Sequence, residues 1–186
     1  KSTLSLNLGR RLNIKQIVDL DVIREVLRGE RSKEVDPFLY YCSTTAWEHS
    51  GEESDSNVVL SFLEYCNSLK DPIKRIIDRA YVLGKDTIIE GVHIVPSLFK
   101  EYLPRKNFHI FVLNMGEKSH FNNILHKKEE FGGRSISRFY QRFPKARIIQ
   151  NYLLQDAKRT NVPSLDIISM KLAENEIAKY LGESNA

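Results

Sequence analysis

The sequence has few cysteines and no long hydrophobic run. Its 186 residues include two cysteines, Cys42 and Cys66, which form no CxxC pair. Two separated cysteines cannot build a disulfide framework, and this usage is typical of a reducing compartment, so we expect a cytoplasmic protein. Apolar runs such as 58–60 and 88–89 are far shorter than the ~20 residues that cross a bilayer, so we expect no membrane partner.

Strong compositional bias is also missing. Apolar residues make up 41% and charged residues 28% of the chain, a balance that excludes a disordered tail. The length suits one domain, 1–186, with room for a lid. The net charge of +4 suits a phosphorylated small ligand as well as nucleic acid, so charge alone does not choose between them.

The first three residues, Lys1, Ser2 and Thr3, match the end of a phosphate-binding loop. The motif G-x-x-x-x-G-K-[ST] closes on a lysine and a hydroxyl residue at a helix start, and leucines at helical spacing follow here. The motif's lysine reaches the β- and γ-phosphates of a nucleotide, and its hydroxyl binds Mg²⁺. We therefore expect these three residues to bind ATP, Ser2 to bind Mg²⁺, and a strand and glycine-rich loop to precede Lys1. The alternative is a chance match of three residues.

Short apolar runs alternate with segments of helical periodicity along the chain. This alternation predicts an α/β fold in which helices flank a parallel sheet. The predicted strands are Gln16–Leu20, Thr87–Glu90, Phe108–Leu113 and Val162–Leu165. The predicted helices cover the stretch up to Arg11 and then 22–27, 38–49, 59–80, 134–160 and 170–181, with a kink or new start at Pro72 and a break or kink at Pro144.

An aspartate and an arginine follow the first predicted strand. Asp21 and Arg24 lie one helical turn apart at the carboxyl end of that strand, where ligands bind in sheets of this kind. There, Asp21 would orient or deprotonate an acceptor hydroxyl, and Arg24 would bind an anionic substrate. The alternative, compatible with the first, is that Asp21 caps a helix and Arg24 lies on a solvated face.

Glu90 ends the second predicted strand and is followed by Gly91 and His93. An acidic residue at a strand end is typical of a Mg²⁺ site in phosphate-loop enzymes. We expect Glu90 to bind metal or substrate, and Gly91 to let the backbone approach a ligand closely. His93 would contact a substrate phosphate, or it is a packed, hydrogen-bonded histidine.

Three arginines follow a glycine pair at 132–133. Arg134, Arg138 and Arg142 share one face of a helix, and such a row is favourable when a phosphorylated ligand lies against it. We expect Arg134 to bind the nucleotide, Arg138 to act in catalysis, Arg142 to bind substrate, and 116–144 to form a helical lid. RNA binding is a further alternative for this arginine row, but the row is not interleaved with aromatic residues that could stack on bases. The other alternative is a solvated face paired with Glu129, Glu130 and Asp156.

Small hydroxyl residues adjoin the one tryptophan. Thr45, two residues before Trp47, would bind a phosphorylated acid, or the segment is a buried helix. The histidines have no metal-ligand spacing with one another or with the cysteines, so we predict no zinc site.

Four stretches together form a recognisable pattern. They are D-x-x-R-E-V-L at 21–27, S-T-T-A-W at 43–47, I-I-E-G-V-H-I-V-P at 88–96, and G-G-R at 132–134 followed by R-I-I-Q-N-Y-L at 147–153. In this combination the sequence resembles archaeal 2-phosphoglycerate kinase from its first residue to about 165. The resemblance implies a phosphate-loop NTPase fold of the nucleoside-kinase type. It also implies Mg²⁺-dependent transfer from ATP to the 3-hydroxyl of 2-phosphoglycerate.

The expected ligands are therefore ATP, Mg²⁺ and a small phosphorylated acid. Two other functions stay open from the sequence. One is a kinase for a nucleoside, sugar or polyol, which needs no second anion site near Arg24 and His93. The other is a nucleotide-dependent RNA-binding or regulatory module, although we do not expect nucleic acid as a partner.

Overall fold

Helices and short parallel strands alternate along the chain. The structure, a computed structural model, describes residues 1–122 and 136–182, and the side chains of all of these except 136–139. Its helices include α1 (Ser2–Arg11), α2 (Leu20–Glu30), α3 (Trp47–Ser50), α4 (Asp55–Leu83), α5 (Ile136–Arg159) and α6 (Met170–Tyr180). Its strands are β1 (Gln16–Asp19), β2 (Thr87–Glu90), β3 (Val112–Asn114) and β4 (Ser164–Asp166), and 3-10 helices cover Pro37–Tyr40 and Pro96–Phe99.

The strands form two parallel pairs. β1 pairs with β2 so that Asp19 lies opposite Glu90, and β3 pairs with β4 so that Asn114 lies opposite Asp166. The prediction of parallel strands flanked by helices is confirmed, but among the described residues the strands form two separate pairs rather than one sheet. The hydrogen-bonded ladder of the second pair begins at Val112 and Ser164. Pro163, just before Ser164, has no backbone N–H with which to extend the ladder.

Both pairs pack against the same two layers of helices. Ile88 of β2 and Leu113 of β3 contact the cluster that α1 and α6 form on one face. Ile89 of β2 and Val112 of β3 contact the cluster that includes the middle of α4 on the other face. Both pairs therefore lie between the same two hydrophobic clusters, and each strand ends on a polar residue.

α4 is one helix of 29 residues that runs through Pro72. A proline inside a helix removes one hydrogen bond and costs about 3 kcal/mol. Leu69 and Ile73 on either side of it are almost completely buried in the core, and this burial offsets the cost. Of the two alternatives predicted at Pro72, a kink or a new helix start, the new start is therefore wrong. The side chain of Ser54 caps the helix by accepting from the backbone N–H of Asn57.

The predicted helix over 38–49 is also wrong. A 3-10 turn, an irregular turn and the single-turn α3 occupy this stretch. The side chain of Thr45 bonds to the backbone of Cys42, and such local bonds compete with a helix. α5 continues through Pro144 without a break.

Residues 123–135 of the predicted lid at 116–144, with the glycine pair at 132–133, lie outside the described residues, and the lid stays a prediction. Within 1–122 and 136–182, no helix is long and apolar enough to cross a membrane.

Candidate active site

The carboxyl ends of β1 and β2 carry two carboxylates side by side, on Asp19 and Glu90. Asp19 is the N-cap of α2, and its side chain accepts a hydrogen bond of 2.8 Å from the backbone N–H of Asp21. The alternative that made Asp21 the cap is therefore wrong. Asp21 lies in the first turn of α2 with a side chain that is 64% exposed, so its carboxylate faces solvent at the strand ends.

Lys1 lies next to Glu90. Its Nζ is 3.9 Å from Glu90 Oε2, and Glu90 is buried while the lysine is half-exposed. Lys1 is the N-cap of α1, and Ser2 and Thr3 form the exposed first turn of that helix. The structure thus brings the N-terminus of α1, with its positive dipole, to the end of β2.

Arg24 joins α2 to α4 through Tyr65. Its Nη1 donates to Tyr65 Oη at 3.0 Å and lies 3.7 Å from Asp21 Oδ1, while its Nη2 donates to Glu25 Oε1 at 3.0 Å. Burial lowers the pKa of Arg24, but the interactions with Tyr65, Glu25 and Asp21 outweigh burial and raise it overall. The guanidinium is therefore charged and held largely beneath the surface, with a side chain only 16% exposed.

His93 takes the packed, hydrogen-bonded form. Its side chain is completely buried, its ring stacks on Tyr65 with centroids 4.7 Å apart, and its Nε2 lies 2.6 Å from Tyr65 Oη. Burial, followed by the nearby charges of Arg24 and Lys1, lowers the pKa of His93 to about 3. The imidazole is therefore neutral at neutral pH, and its Nδ1 has no hydrogen-bond partner among the described residues.

Sequence reasoning missed Tyr65. It lies on the buried face of α4, where an aromatic residue looks like ordinary core, and it is 1% exposed. The available signal was its hydroxyl, because a buried tyrosine usually finds a polar partner. Burial raises the pKa of Tyr65 despite the opposing charge and hydrogen bond of Arg24, so the phenol stays protonated.

Gly91 is required by packing rather than by a ligand. A Cβ at this position would lie 2.7 Å from Leu20 Cβ, and Leu20 is completely buried at the start of α2. The close backbone approach predicted for Gly91 exists, but it is an approach to Leu20. It brings the turn after β2 against the first turn of α2.

Thr45 and Arg142 both lie near Cys42. Thr45 is buried, and its hydroxyl bonds to the backbone and to the Sγ of Cys42 within one turn. Burial raises the pKa of Cys42, but hydrogen bonds from Thr44 and Thr45, together with the charge of Arg142, outweigh it and lower the pKa. Binding of substrate by Thr45 and Arg142 stays a prediction.

Two of the predicted arginines cannot be placed. Arg134 lies outside the described residues, and so does the side chain of Arg138. Asp156, one of the acids considered as a partner for this row, is buried and binds Arg159 at 2.8 Å and the backbone N–H of Ser97.

The ends of β3 and β4 carry a second polar cluster, in which the sequence singled out Arg147 and Gln150 of the 147–153 stretch but neither Asn114 nor Asp166. Asn114 donates to Asp166, and Gln150 of α5 donates to Asn114 at 2.6 Å. Arg147 donates to the carbonyl of Met115 at 2.8 Å. The signal for this cluster was the polar last residue of each strand.

The described residues contain no group of three or more metal-ligating side chains. Mg²⁺ is commonly held by one or two carboxylates together with substrate phosphates and water. Glu90 and Asp19 are adjacent at the strand ends, and Glu90 contacts Lys1, the residue before Ser2, so these residues are compatible with that mode of binding.

The sequence is similar to several archaeal proteins named 2-phosphoglycerate kinase. It is 31% identical over 175 residues to the 2-phosphoglycerate kinase of Methanocaldococcus jannaschii, covering 91% of this chain and 55% of that protein. It is 30% identical to the enzyme of that name from Methanopyrus kandleri, over 97% of this chain and 56% of that protein. The kinase of Pyrococcus horikoshii is 28% identical over 95% of this chain and 58% of that protein.

The chain spans about half the length of the relatives it matches. No protein-family model matches the sequence, and no solved structure matches it. The similarity extends over more than nine-tenths of this chain and recurs in several archaeal species. The resemblance to archaeal 2-phosphoglycerate kinase that the four sequence stretches indicate is therefore confirmed.

Proposed function

We propose that the protein containing this chain is a Mg²⁺-dependent kinase that transfers the γ-phosphate of ATP to the 3-hydroxyl of 2-phosphoglycerate. The observation that carries this proposal is the convergence of Lys1 and Glu90 with Asp21 and Arg24 at the ends of β1 and β2. A cation at a helix N-terminus suits a nucleotide phosphate, and a carboxylate with an arginine suits a hydroxyl-bearing anion. The similarity to 2-phosphoglycerate kinases supports the same substrate.

We also infer a phosphate-loop NTPase fold of the nucleoside-kinase type, formed by a single domain. The two parallel pairs lie between the same helical layers and are not hydrogen-bonded to each other in the described residues. One more parallel strand between β2 and β3 would join them into a five-stranded sheet. The strand and glycine-rich loop expected before Lys1 would supply it.

The nucleotide would bind at the start of α1. Lys1 would hold the β- and γ-phosphates, and the backbone N–H groups of the first turn, with Ser2 and Thr3, would add hydrogen bonds. Glu90 and Ser2 would hold Mg²⁺, which neutralises the developing charge on the phosphates when bound. We propose Arg134 and Arg138 as further phosphate ligands.

The acceptor would bind between α2 and the end of β2. Arg24 would bind the 2-phosphate of the substrate and so place the 3-hydroxyl beside Asp21. The exposed Asp21 carboxylate would accept the hydroxyl proton as the oxygen bonds to the γ-phosphorus and ADP leaves. Catalysis would then consist mainly of positioning and charge stabilisation.

The proposal is tested by measuring ATP consumption by the full-length protein with a panel of acceptors. We expect turnover with 2-phosphoglycerate and Mg²⁺ and little with glycerate, because glycerate lacks the phosphate that Arg24 would bind. Nucleosides and sugars complete the panel. Faster turnover of an unphosphorylated acceptor would overturn the substrate assignment, and salt-dependent RNA binding without acceptor-stimulated turnover would overturn the kinase assignment.

A further inference from the structure

A buried tyrosine connects three elements at the candidate acceptor site. Tyr65 of α4 lies between Arg24 of α2 and His93, which follows β2, and it bonds to both side chains. Tyr65 and His93 are almost completely buried. Burying a phenol and an imidazole together costs free energy unless their polar atoms are satisfied, so hydrophobic packing alone does not account for them.

The hydrogen bonds have one consistent direction. Arg24 can only donate, so Tyr65 Oη accepts from it at 3.0 Å. Tyr65 is then able to donate its own proton to Nε2 of the neutral His93, 2.6 Å away. His93 thus orients the hydroxyl, and the hydroxyl orients the guanidinium.

The two hydrogen-bond partners of Arg24, Tyr65 and Glu25, differ in their exposure to solvent. The bond to Tyr65 lies beneath the surface, whereas Glu25 is 54% exposed and shares its carboxylate with Arg28. A substrate phosphate could therefore replace Glu25 at the guanidinium without disturbing Tyr65. A neutral hydroxyl also holds the guanidinium without cancelling its charge, which a carboxylate in that place would do.

We propose that Tyr65, oriented by His93, is a positioning residue that fixes the guanidinium of Arg24 for binding the phosphate group of the substrate. This inference rests on the proposed function in its choice of substrate. The binding of a phosphate anion by Arg24 can be measured without any turnover.

The test is Tyr65→Phe in the full-length protein, because phenylalanine keeps the ring and removes the hydroxyl. Titration calorimetry with 2-phosphoglycerate and with inorganic phosphate should show the Kd of each raised about tenfold, the usual effect of losing one hydrogen bond to a charged group. In turnover, the KM for 2-phosphoglycerate should rise by the same factor, while kcat and the KM for ATP change less than about threefold.

Tyr102→Phe is the matched control. Tyr102 is also almost completely buried, and its hydroxyl donates to Asp78 at 3.1 Å, a residue outside the candidate site. We expect this variant to bind both anions like the wild type. If both variants bound the anions equally weakly, the proposal would be overturned, because a general loosening of the core would then explain the weaker binding.

A double-mutant cycle tests whether Tyr65 acts through Arg24. Arg24→Gln should weaken phosphate binding strongly, and adding Tyr65→Phe should weaken it no further. Additive effects would contradict the proposal. His93→Phe, which keeps a stacked ring but removes the Nε2 acceptor, should weaken anion binding in the same direction and serves if Tyr65→Phe does not fold.

The outcomes separate this inference from the proposed function. Anion binding that depends on Tyr65, without phosphorylation of 2-phosphoglycerate, would support the positioning role and overturn the assignment of 2-phosphoglycerate as the substrate. Phosphorylation that is unaffected by Tyr65→Phe would do the reverse. A wild-type protein that binds neither anion would overturn both.

Discussion

At the scale of single residues, two aspartates at the end of β1 have different tasks. Asp19 caps α2 with its side chain, whereas Asp21 presents its carboxylate to solvent 3.7 Å from Arg24. The capping role considered for Asp21 from the sequence therefore belongs to Asp19, and the catalytic role of Asp21 stays a proposal. This division makes the role of Asp21 testable without disturbing the helix.

Asp21→Asn should lower kcat about 10²–10⁴-fold, because an amide cannot accept the proton of the acceptor hydroxyl. The free energy of unfolding should change by less than about 0.5 kcal/mol, since an exposed side chain that does not cap the helix is replaced. Steady-state kinetics and urea unfolding measure the two quantities.

Asp19→Ala is the control and should destabilise the protein by about 1 kcal/mol through loss of the cap. A kcat of Asp21→Asn within a few-fold of wild type would remove Asp21 from the catalytic step.

The buried His93 predicts a dependence of stability on pH. Burial and the charges of Arg24 and Lys1 lower its pKa to about 3, so between about pH 6.5 and that value the unfolded chain binds a proton that the folded chain does not. The free energy of unfolding should therefore fall as the pH drops through this window.

Replacing His93 by Asn should flatten that dependence by up to about 1.4 kcal/mol per pH unit, whatever its effect on absolute stability. Urea unfolding of both proteins at about pH 7, 6 and 5 measures the slopes. Equal slopes would mean that His93 is not held neutral by the fold.

At the scale of elements, the junction between β2 and α2 depends on Gly91. Gly91→Ala should destabilise the protein by about 1–3 kcal/mol, because its Cβ would lie 2.7 Å from Leu20 Cβ at a packed junction. Thermal unfolding measures the loss.

Gly29→Ala is the matched control. Gly29 lies in α2 with nothing within 4 Å of an added Cβ, so alanine there should stabilise the protein by about 0.5–1 kcal/mol. Similar effects of the two substitutions would contradict the packing role of Gly91.

Local signals account for which elements were predictable from the sequence. β2 begins and ends where predicted, since its apolar run ends on Glu90, and α6 ends within one residue of its prediction. The prediction of a helix over 38–49 was wrong because the side chain of Thr45 bonds to the backbone of Cys42 within its own turn. The prediction of a helix boundary at Pro72 was wrong because burial of the neighbouring residues in the core keeps the helix continuous. That burial depends on contacts distant in sequence, which no local pattern contains.

The candidate site was predictable to a similar extent. Lys1 with Glu90 and Asp21 with Arg24 could be anticipated, because strand ends of a parallel sheet meet at one edge. Tyr65 could not, since its contacts cross between elements 41 and 28 residues apart in sequence. Its role follows only from the three-dimensional arrangement.

At the scale of the whole molecule, two parallel pairs share their hydrophobic layers and present polar strand ends. Lys1 and Asp21, which are proposed for catalysis, lie at the ends of the pair β1–β2, and the ends of β3–β4 carry a cluster around Asn114 and Asp166. The relatives that match this chain are nearly twice as long, so the full-length protein is the proper subject for assays of activity.

The most direct test of the central claim is ³¹P NMR of the full-length protein with ATP, Mg²⁺ and 2-phosphoglycerate. We expect a new resonance, from a phosphate ester on the 3-oxygen, that grows as ATP is converted to ADP, and no such resonance with Lys1→Ala. Conversion of ATP to ADP with only inorganic phosphate as the second product, or an undiminished ester signal from Lys1→Ala, would contradict it.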